Sequence, residues 1–421
     1  MFQRIQVKNP WKSILKPWAE IDPWLFAACI GLTVFGGIMI HSVEINQGLI
    51  NWWRHWVTGG VGLCLAILIS RCRYEVLIEW KWPIYIAINL SLIAVRFIGS
   101  TGLGAQRWIN IGGFYLQPSE FAKIGMIITL AALMHDKTVP TLRDMLKMLA
   151  IMAVPWGLIF AEPNLGTSLV FGAITMGMFY WGNVNPGWLI LLFSPLFSVL
   201  LNNLSTPIWV GWILVAGVIA WRSLPWRWLG TFGTVLVNVV SGHVGHIFWS
   251  VLLKDYQKMR LTGFLNPEKD PLGSGYHLIQ SRIAIGAGEL KGRGLNQGTQ
   301  TQLNFIPEQH TDFIFSAIGE ELGFIGCVLV LFCFWLICLR LVIIAQTAND
   351  NFGSLLAIGI LSMLIFQVFV NIGMNIGLAP VTGIPLPFLS YGNASLLSNF
   401  LGLGLAESVA NRRQRKKMWN R

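Results

Sequence analysis

Charge is what this sequence has least of. Only 12% of its 421 residues are Asp, Glu, Lys or Arg, about half the share found in an average soluble domain. So little charge cannot cover a water-facing surface of this size, and a soluble globular fold is excluded. Cysteine chemistry is missing too. Cys29, Cys64, Cys327, Cys333 and Cys338 fall in apolar runs and Cys72 in a basic loop, with no CxxC pair and no cysteine in the long polar segment where a disulfide could form. There is no HExxH and no GxSxG, which sets aside a zinc peptidase and an α/β-hydrolase. No repeat with a period of roughly 20 to 50 residues is present, nor any low-complexity tract. The two halves also lack the matched pair of broken hydrophobic segments that marks inverted-repeat transporters.

What the chain does have is apolar length. Hydrophobic residues make up 54% of it, and the mean hydropathy is +0.60. Twelve apolar runs between residues 22 and 410 approach the roughly 20 residues needed to cross about 30 Å of hydrocarbon. The weakest, 228–253, is interrupted by Asn238, His243 and His246, and also suits a helix lying along the interface. The first run follows a basic stretch but is too long for a signal peptide's core and lacks a small-residue cleavage site, so it reads as a retained span. The 20 Trp and 44 Gly fit the same class.

The net charge of +11 is mainly a topology signal. Lys and Arg gather in the N-terminal stretch (Arg4 to Lys16), near 71–81, 137–147 and 222–227, at Arg340, and in the tail from Arg412, whereas 41–52, 203–206 and 380–387 have none. This is the positive-inside pattern. It predicts an all-α polytopic membrane protein of about 10–12 transmembrane helices, both termini cytoplasmic, forming one integral domain over 1–421. Anionic lipid accounts for the rest of the basic excess, and nucleic acid is not an expected partner. Two outer segments are long: 99–117, and a large loop at 254–312 with seven basic and six acidic side chains. Loops of that length usually carry function.

Several stretches bear chemistry. "LQPSEFAKIG" starts a span with Pro118, which suits a first helical turn, and spaces Glu120 and Lys123 i, i+3 on one face. Those two charges either cap the helix at headgroup level or form a buried ion pair that holds a cavity. "EPNLGTSL" (162–169) reads as a tight turn with Asn164 as an N-cap. "PLGSGYHLIQSRIAIGAGELKGRG" (271–294) sets Arg282, Lys291 and Arg293 beside glycines, either as a surface anchor or as cations offered to phosphates. "GTQTQLNFIPEQHTDFIF" (298–315) packs Gln300, Glu308, His310 and Asp312 against an apolar run, with Asp312 at its edge. "PLPFLSYGNASLL" (385–397) adds Ser390 and Tyr391 in what is otherwise a turn. His243 and His246 lack a third ligand and read as helix-surface residues.

Taken together, "GAQRWINIGGFYLQPSEFAKI", "EPNLGTS", "DPLGSGYHLIQSRIAIGAGELKGRG", "GTQTQLNFIPEQHTDFIFSAIGEELG" and "VNIGMNIGLAPVTGIPLPFLSYGNAS" resemble the SEDS family (shape, elongation, division and sporulation), in family order from about residue 100 to 400. They look more like its RodA-like elongation branch than its FtsW-like division branch. The resemblance implies a peptidoglycan glycosyltransferase in the plasma membrane that polymerises lipid II on the outer face, with a lipid II flippase as the alternative. It puts the essential acid on Asp312 and the ion pair on Glu120 and Lys123. Arg107, Arg282, Lys291 and Arg293 are then candidates for the pyrophosphate, and Gln300, Glu308, His310, Ser390 and Tyr391 for other substrate contacts. It allows a divalent cation, magnesium or manganese, near Asp312, and implies a class B penicillin-binding protein as transpeptidase partner. This sequence departs from the pattern at Asn164 (usually Asp), Glu289 (Gly expected) and Asn393 (a second Gly expected, where Asn would keep a left-handed turn). The family usually has about ten spans, so 187–253 reads as carrying two extra.

Overall fold

The computed structural model describes residues 21–46, 51–102, 105–111, 114–136, 141–162, 164–251, 267–269 and 275–419. The basic N-terminal stretch and residues 254–266 and 270–274 of the expected outer loop lie outside the described residues. α1 (Pro23–Glu44), α2 (Asn51–Arg71) and α3 (Lys81–Ile98) lead into a small sheet, β1 (Ser100–Gly102), β2 (Ala105–Ile111) and β3 (Phe114–Leu116). Then come α4 (Pro118–Met134), α5 (Leu142–Ala161), α6 (Leu165–Trp181), α7 (Pro186–Leu204), α8 (Thr206–Ser223) and α9 (Arg227–Val251). The chain ends with α10 (Tyr276–Ala287), α11 (Thr299–Gln302), α12 (Ile314–Thr347), α13 (Asn351–Ile376) and α14 (Asn393–Trp419).

The helical membrane architecture is the one expected, and α1, α3, α5, α8, α12 and α13 are each long and apolar enough to cross a bilayer. One element differs. Residues 99–117 are not a plain loop but a three-stranded antiparallel meander in the order β1-β2-β3, with Ile109 opposite Leu116 and Ser100 opposite Trp108. Strands of 3 to 7 residues are too short to show an alternating pattern between glycines.

α13 lies at the centre, packed on α4, α6, α12 and α14, while α2 runs against α14 and α1 against α2 and α12. With lipid as apolar as leucine, close backbone approach is what drives such packing. A Cβ on Gly404 of α14 would sit 2.8 Å from the Ala66 Cα of α2.

Helices α7, α8 and α9 pack chiefly on one another. The polar residues that weaken the 228–253 run are part of what joins them. Asn238 is fully buried and donates from Nδ2 to Ser194 Oγ at 3.0 Å, and its carbonyl accepts from Ser198 Oγ at 2.7 Å. Trp209 Nε1 donates to the same Ser198 Oγ at 2.6 Å. Hydropathy sees a broken span where the fold has interhelical hydrogen bonds.

α12 breaks at Gly323, whose φ of +64° is left-handed, a region glycine occupies without a Cβ penalty. The loop after α10 fills the gap: Phe324 N–H donates to Glu289 O at 2.9 Å and Arg293 N–H to Glu320 O at 3.0 Å. The 24 residues from 324 to 347 make a span of about 36 Å, so 314–322 belongs to the cluster beyond it. Glu289 has φ +47°, which explains in backbone terms why glycine is expected there. Asn393, by contrast, is not left-handed. It opens α14, and its Oδ1 accepts from Thr58 Oγ1 of α2 at 3.1 Å, so its side chain is used rather than its tolerance of positive φ.

Candidate active site

The segment before α12 cannot continue the helix because Glu308 is left-handed, with φ +53°. Its carbonyl instead gathers the Thr311, Asp312 and Phe313 N–H groups at 3.1 to 3.4 Å, which raises a compact turn carrying His310, Thr311 and Asp312. Two asparagines fix that turn from α13. Asn371 Nδ2 donates to the Asp312 carbonyl at 2.9 Å and to the Ile384 carbonyl at 2.8 Å. Asn375 Nδ2 donates to the same Asp312 carbonyl at 3.1 Å, while its Oδ1 accepts from Ser316 N–H at 3.2 Å and Ser316 Oγ at 2.8 Å. The carboxylate itself is half-buried, and a Cβ on Gly383 would come 3.5 Å from its Oδ2.

Replacing Asn375 with Leu removes one of the two donors to the Asp312 carbonyl and the Oδ1 acceptor of Ser316, at about 0.5–1.5 kcal/mol for each hydrogen bond lost. The melting midpoint of the purified protein should fall, and an unchanged midpoint would remove Asn375 as a clamp.

A cavity of about 600 Å³ opens beside Asp312, within the range of roughly 300–1,000 Å³ typical of ligand sites. The exposed or half-buried part of its lining includes Arg107, Tyr115, Glu308, His310, Thr311, Asp312 and Tyr391. The buried part of its lining comes from α4, α6 and α13: Glu120, Lys123, Thr167, Val170 and Gln367, with Asn164 at the α6 N-cap. Lys123 Nζ donates to Glu120 Oε2 at 2.7 Å, with the lysine 1% and the glutamate 5% exposed. Of the two sequence readings for this pair, the geometry is that of a buried ion pair. The rings of His310 and Tyr391 are 5.8 Å apart, and Tyr391 N–H donates to His310 O at 2.8 Å.

Arg107 reaches the cavity from β2, and its Nε donates to the Glu162 carbonyl at 3.1 Å. In that turn beyond α5, burial pushes the Glu162 carboxyl up to about 7, against the pull of Arg107 and Arg96. Glu162 therefore neutralises Arg107 only in part near neutral pH.

The sequence candidates thus divide. Arg107, Glu120, Lys123, Glu308, His310, Asp312 and Tyr391 line one cavity. Arg282, Lys291, Arg293, Gln300 and Ser390 do not. Arg293 folds back on its own loop, donating to Ala287 O at 3.2 Å and Thr299 Oγ1 at 3.1 Å. Arg282 and Lys291 are exposed, and the Arg282 stem lies against Gly377. Gln300 donates its N–H to the buried Glu320 carboxylate at 2.8 Å. Ser390 Oγ accepts from Leu386 N–H at 2.9 Å and shapes its turn. Residues not singled out from sequence are Asn371, Asn375 and Gln367. Their i, i+4, i+8 spacing inside an apolar run was the available signal, because it puts three amides on one helix face.

A family model described as Cell cycle protein (FtsW, RodA, SpoVE) matches residues 23–200 and 181–415. The chain is 34% identical over 407 residues to peptidoglycan glycosyltransferase MrdB of Escherichia coli K12, covering 96% of this chain and 98% of that one. It is 35% identical over 430 residues to peptidoglycan glycosyltransferase RodA of Treponema pallidum, covering 94% and 98%. Among solved structures, a chain of a peptidoglycan synthase complex that coordinates polymerization and crosslinking superposes with a TM-score of 0.70 and 28% identity, over 93% of this chain and 98% of that chain.

Proposed function

This chain belongs to the FtsW/RodA/SpoVE family of cell cycle proteins, and from that premise we propose that it is a peptidoglycan glycosyltransferase that polymerises lipid II during cell elongation. The observation that carries the reading is a carboxylate, Asp312, at the half-exposed mouth of a cavity that reaches between membrane helices. A lipid-linked sugar requires such a meeting of water and hydrocarbon.

In the reaction, a hydroxyl oxygen of the acceptor sugar attacks the donor's anomeric carbon. The bond from that carbon to the pyrophosphate oxygen breaks, and its electron pair leaves with the undecaprenyl pyrophosphate. Asp312 takes the hydroxyl proton as general base. Arg107 steadies the charge growing on the leaving oxygen. The charge pattern supports a cavity mouth on the outer face of the plasma membrane. Crosslinking falls to a class B penicillin-binding protein partner, in keeping with the synthase complex that contains a similar chain.

Magnesium is commonly held by one or two carboxylates together with substrate phosphates, and Asp312 and Glu308 line the same cavity. Among the described residues no group of three His, Cys, Asp or Glu could hold a metal ion. A divalent cation would therefore depend on oxygens of the pyrophosphate, whose charge it would offset.

The test is to purify the chain with its partner, supply labelled lipid II, and resolve products by size. Glycan strands are expected. Lipid II crossing vesicle membranes without polymer would replace the reading with a flippase.

Arg107 and Glu162 add a pH prediction. As pH rises through about 7, Glu162 ionises and competes with the pyrophosphate for Arg107. KM for lipid II should rise between about pH 6 and pH 8, and Glu162→Gln should flatten that rise. A slope that survives in Glu162→Gln assigns it to another group.

A further inference from the structure

We infer that the buried part of the cavity lining is a saccharide subsite read by the side-chain amides of Gln367 and Asn164, and that it takes the neutral hydroxyl and acetamido groups of the substrate rather than its pyrophosphate. The inference rests on the polymerase reading and assigns a part of that same cavity.

Two amides point to it. Gln367, on α13, is fully buried and lines the cavity, and neither its Oε1 nor its Nε2 has a hydrogen-bond partner. Asn164, 6% exposed, lines the same cavity. Its Oδ1 accepts from Thr167 N–H at 3.4 Å, which leaves its Nδ2 as the end without a partner. Buried amides nearly always find partners, and one left open is costly. Two of them lining one cavity, from different helices, form a recognition surface that a ligand completes.

The charges say which part of the ligand. Among the described residues, Lys123 is the one fully buried cation lining the cavity, and it is bound to Glu120 at 2.7 Å, so its charge is already matched. The other Lys or Arg lining the cavity is Arg107, which is half-buried. Between them Gln367 and Asn164 offer N–H donors and one carbonyl acceptor. That set matches an acetamido group, which carries one N–H and one C=O, or a pair of sugar hydroxyls. The pyrophosphate is thus assigned to Arg107 and the sugar to the buried amides.

The test compares two probes, lipid II and undecaprenyl pyrophosphate, which lacks the sugars. Binding of each to the detergent-purified complex with its partner is measured for wild type, Gln367→Leu and Asn164→Ala, together with kcat and KM for polymerisation. Gln367→Leu should weaken lipid II binding about tenfold and leave undecaprenyl pyrophosphate within about twofold. Leucine also removes an unsatisfied buried amide, so the melting midpoint of the ligand-free complex should hold or rise. A merely structural glutamine predicts a fall. Asn164→Ala should repeat the selective loss, which keeps the idea testable should Gln367→Leu fold poorly.

Unchanged lipid II affinity in both variants, with wild type making polymer, overturns the subsite and leaves the polymerase intact. Equal losses for both probes also overturn it, because the contact would then be to the shared pyrophosphate. A wild type that neither polymerises lipid II nor prefers it to undecaprenyl pyrophosphate removes both readings.

Discussion

Asp312→Asn should abolish glycan polymerisation while leaving the protein folded. General-base catalysis is worth about 10²- to 10⁴-fold, and the amide keeps the shape of the carboxylate without accepting a proton. The fold should tolerate the change because α13 holds residue 312 by its backbone carbonyl, at 2.9 Å from Asn371 and 3.1 Å from Asn375, contacts that the substitution keeps. The loss should therefore fall on kcat with KM little changed, the pattern of an interaction made only in the transition state. The melting midpoint should match wild type. Turnover within about tenfold of wild type is too small a loss for an essential base and would move the role to Glu308. That side chain lines the same cavity and is exposed, but it accepts from Thr311 Oγ1 at 3.2 Å.

Asp312 was legible in the sequence because a carboxylate at the rim of an apolar run contradicts its surroundings, and such contradictions mark sites. Glu120 and Lys123 were legible for the same reason, and their i, i+3 spacing gave the pairing. Gln367, Asn371 and Asn375 were not, since uncharged amides barely lower the average hydropathy of a long helix. Their importance shows only when a helix face is matched to what packs on it. The loop cations lie outside that cavity for another reason. Sequence supplies the charge of Arg282, Lys291 and Arg293 but not its direction, and Arg293 spends its donors closing its own loop. Glu320 and Glu321 look like stray acids in a span. Both are fully buried: Glu320 accepts from Gln300 and Thr301 N–H at 2.8 Å each, and Glu321 from Ser42 Oγ at 2.6 Å. They tie the 296–302 segment to α12 and α1, a link between residues 279 positions apart that no local pattern announces.

Lys123→Met should be the most destabilising single change at the site. It leaves Glu120, 5% exposed, without its counter-ion, and breaking a buried pair from one side costs about 3–5 kcal/mol. A headgroup-level pair would cost only about 0–1 kcal/mol and would lose even that in high salt. The thermal midpoint of Lys123→Met should therefore drop sharply and by the same amount at low and high ionic strength. Adding Glu120→Gln removes the stranded charge, so the double variant should recover most of the midpoint, as buried pairs replaced from both sides often do. Turnover should not recover with it. Both side chains are buried and line the same cavity as Gln367, and the uncharged replacements repack its lining. A double variant that regains stability but not polymerisation shows that the pair shapes the cavity. One that regains both reduces the pair to a strut between helices, and one that regains neither shows that the charges support the helix packing around α4 itself.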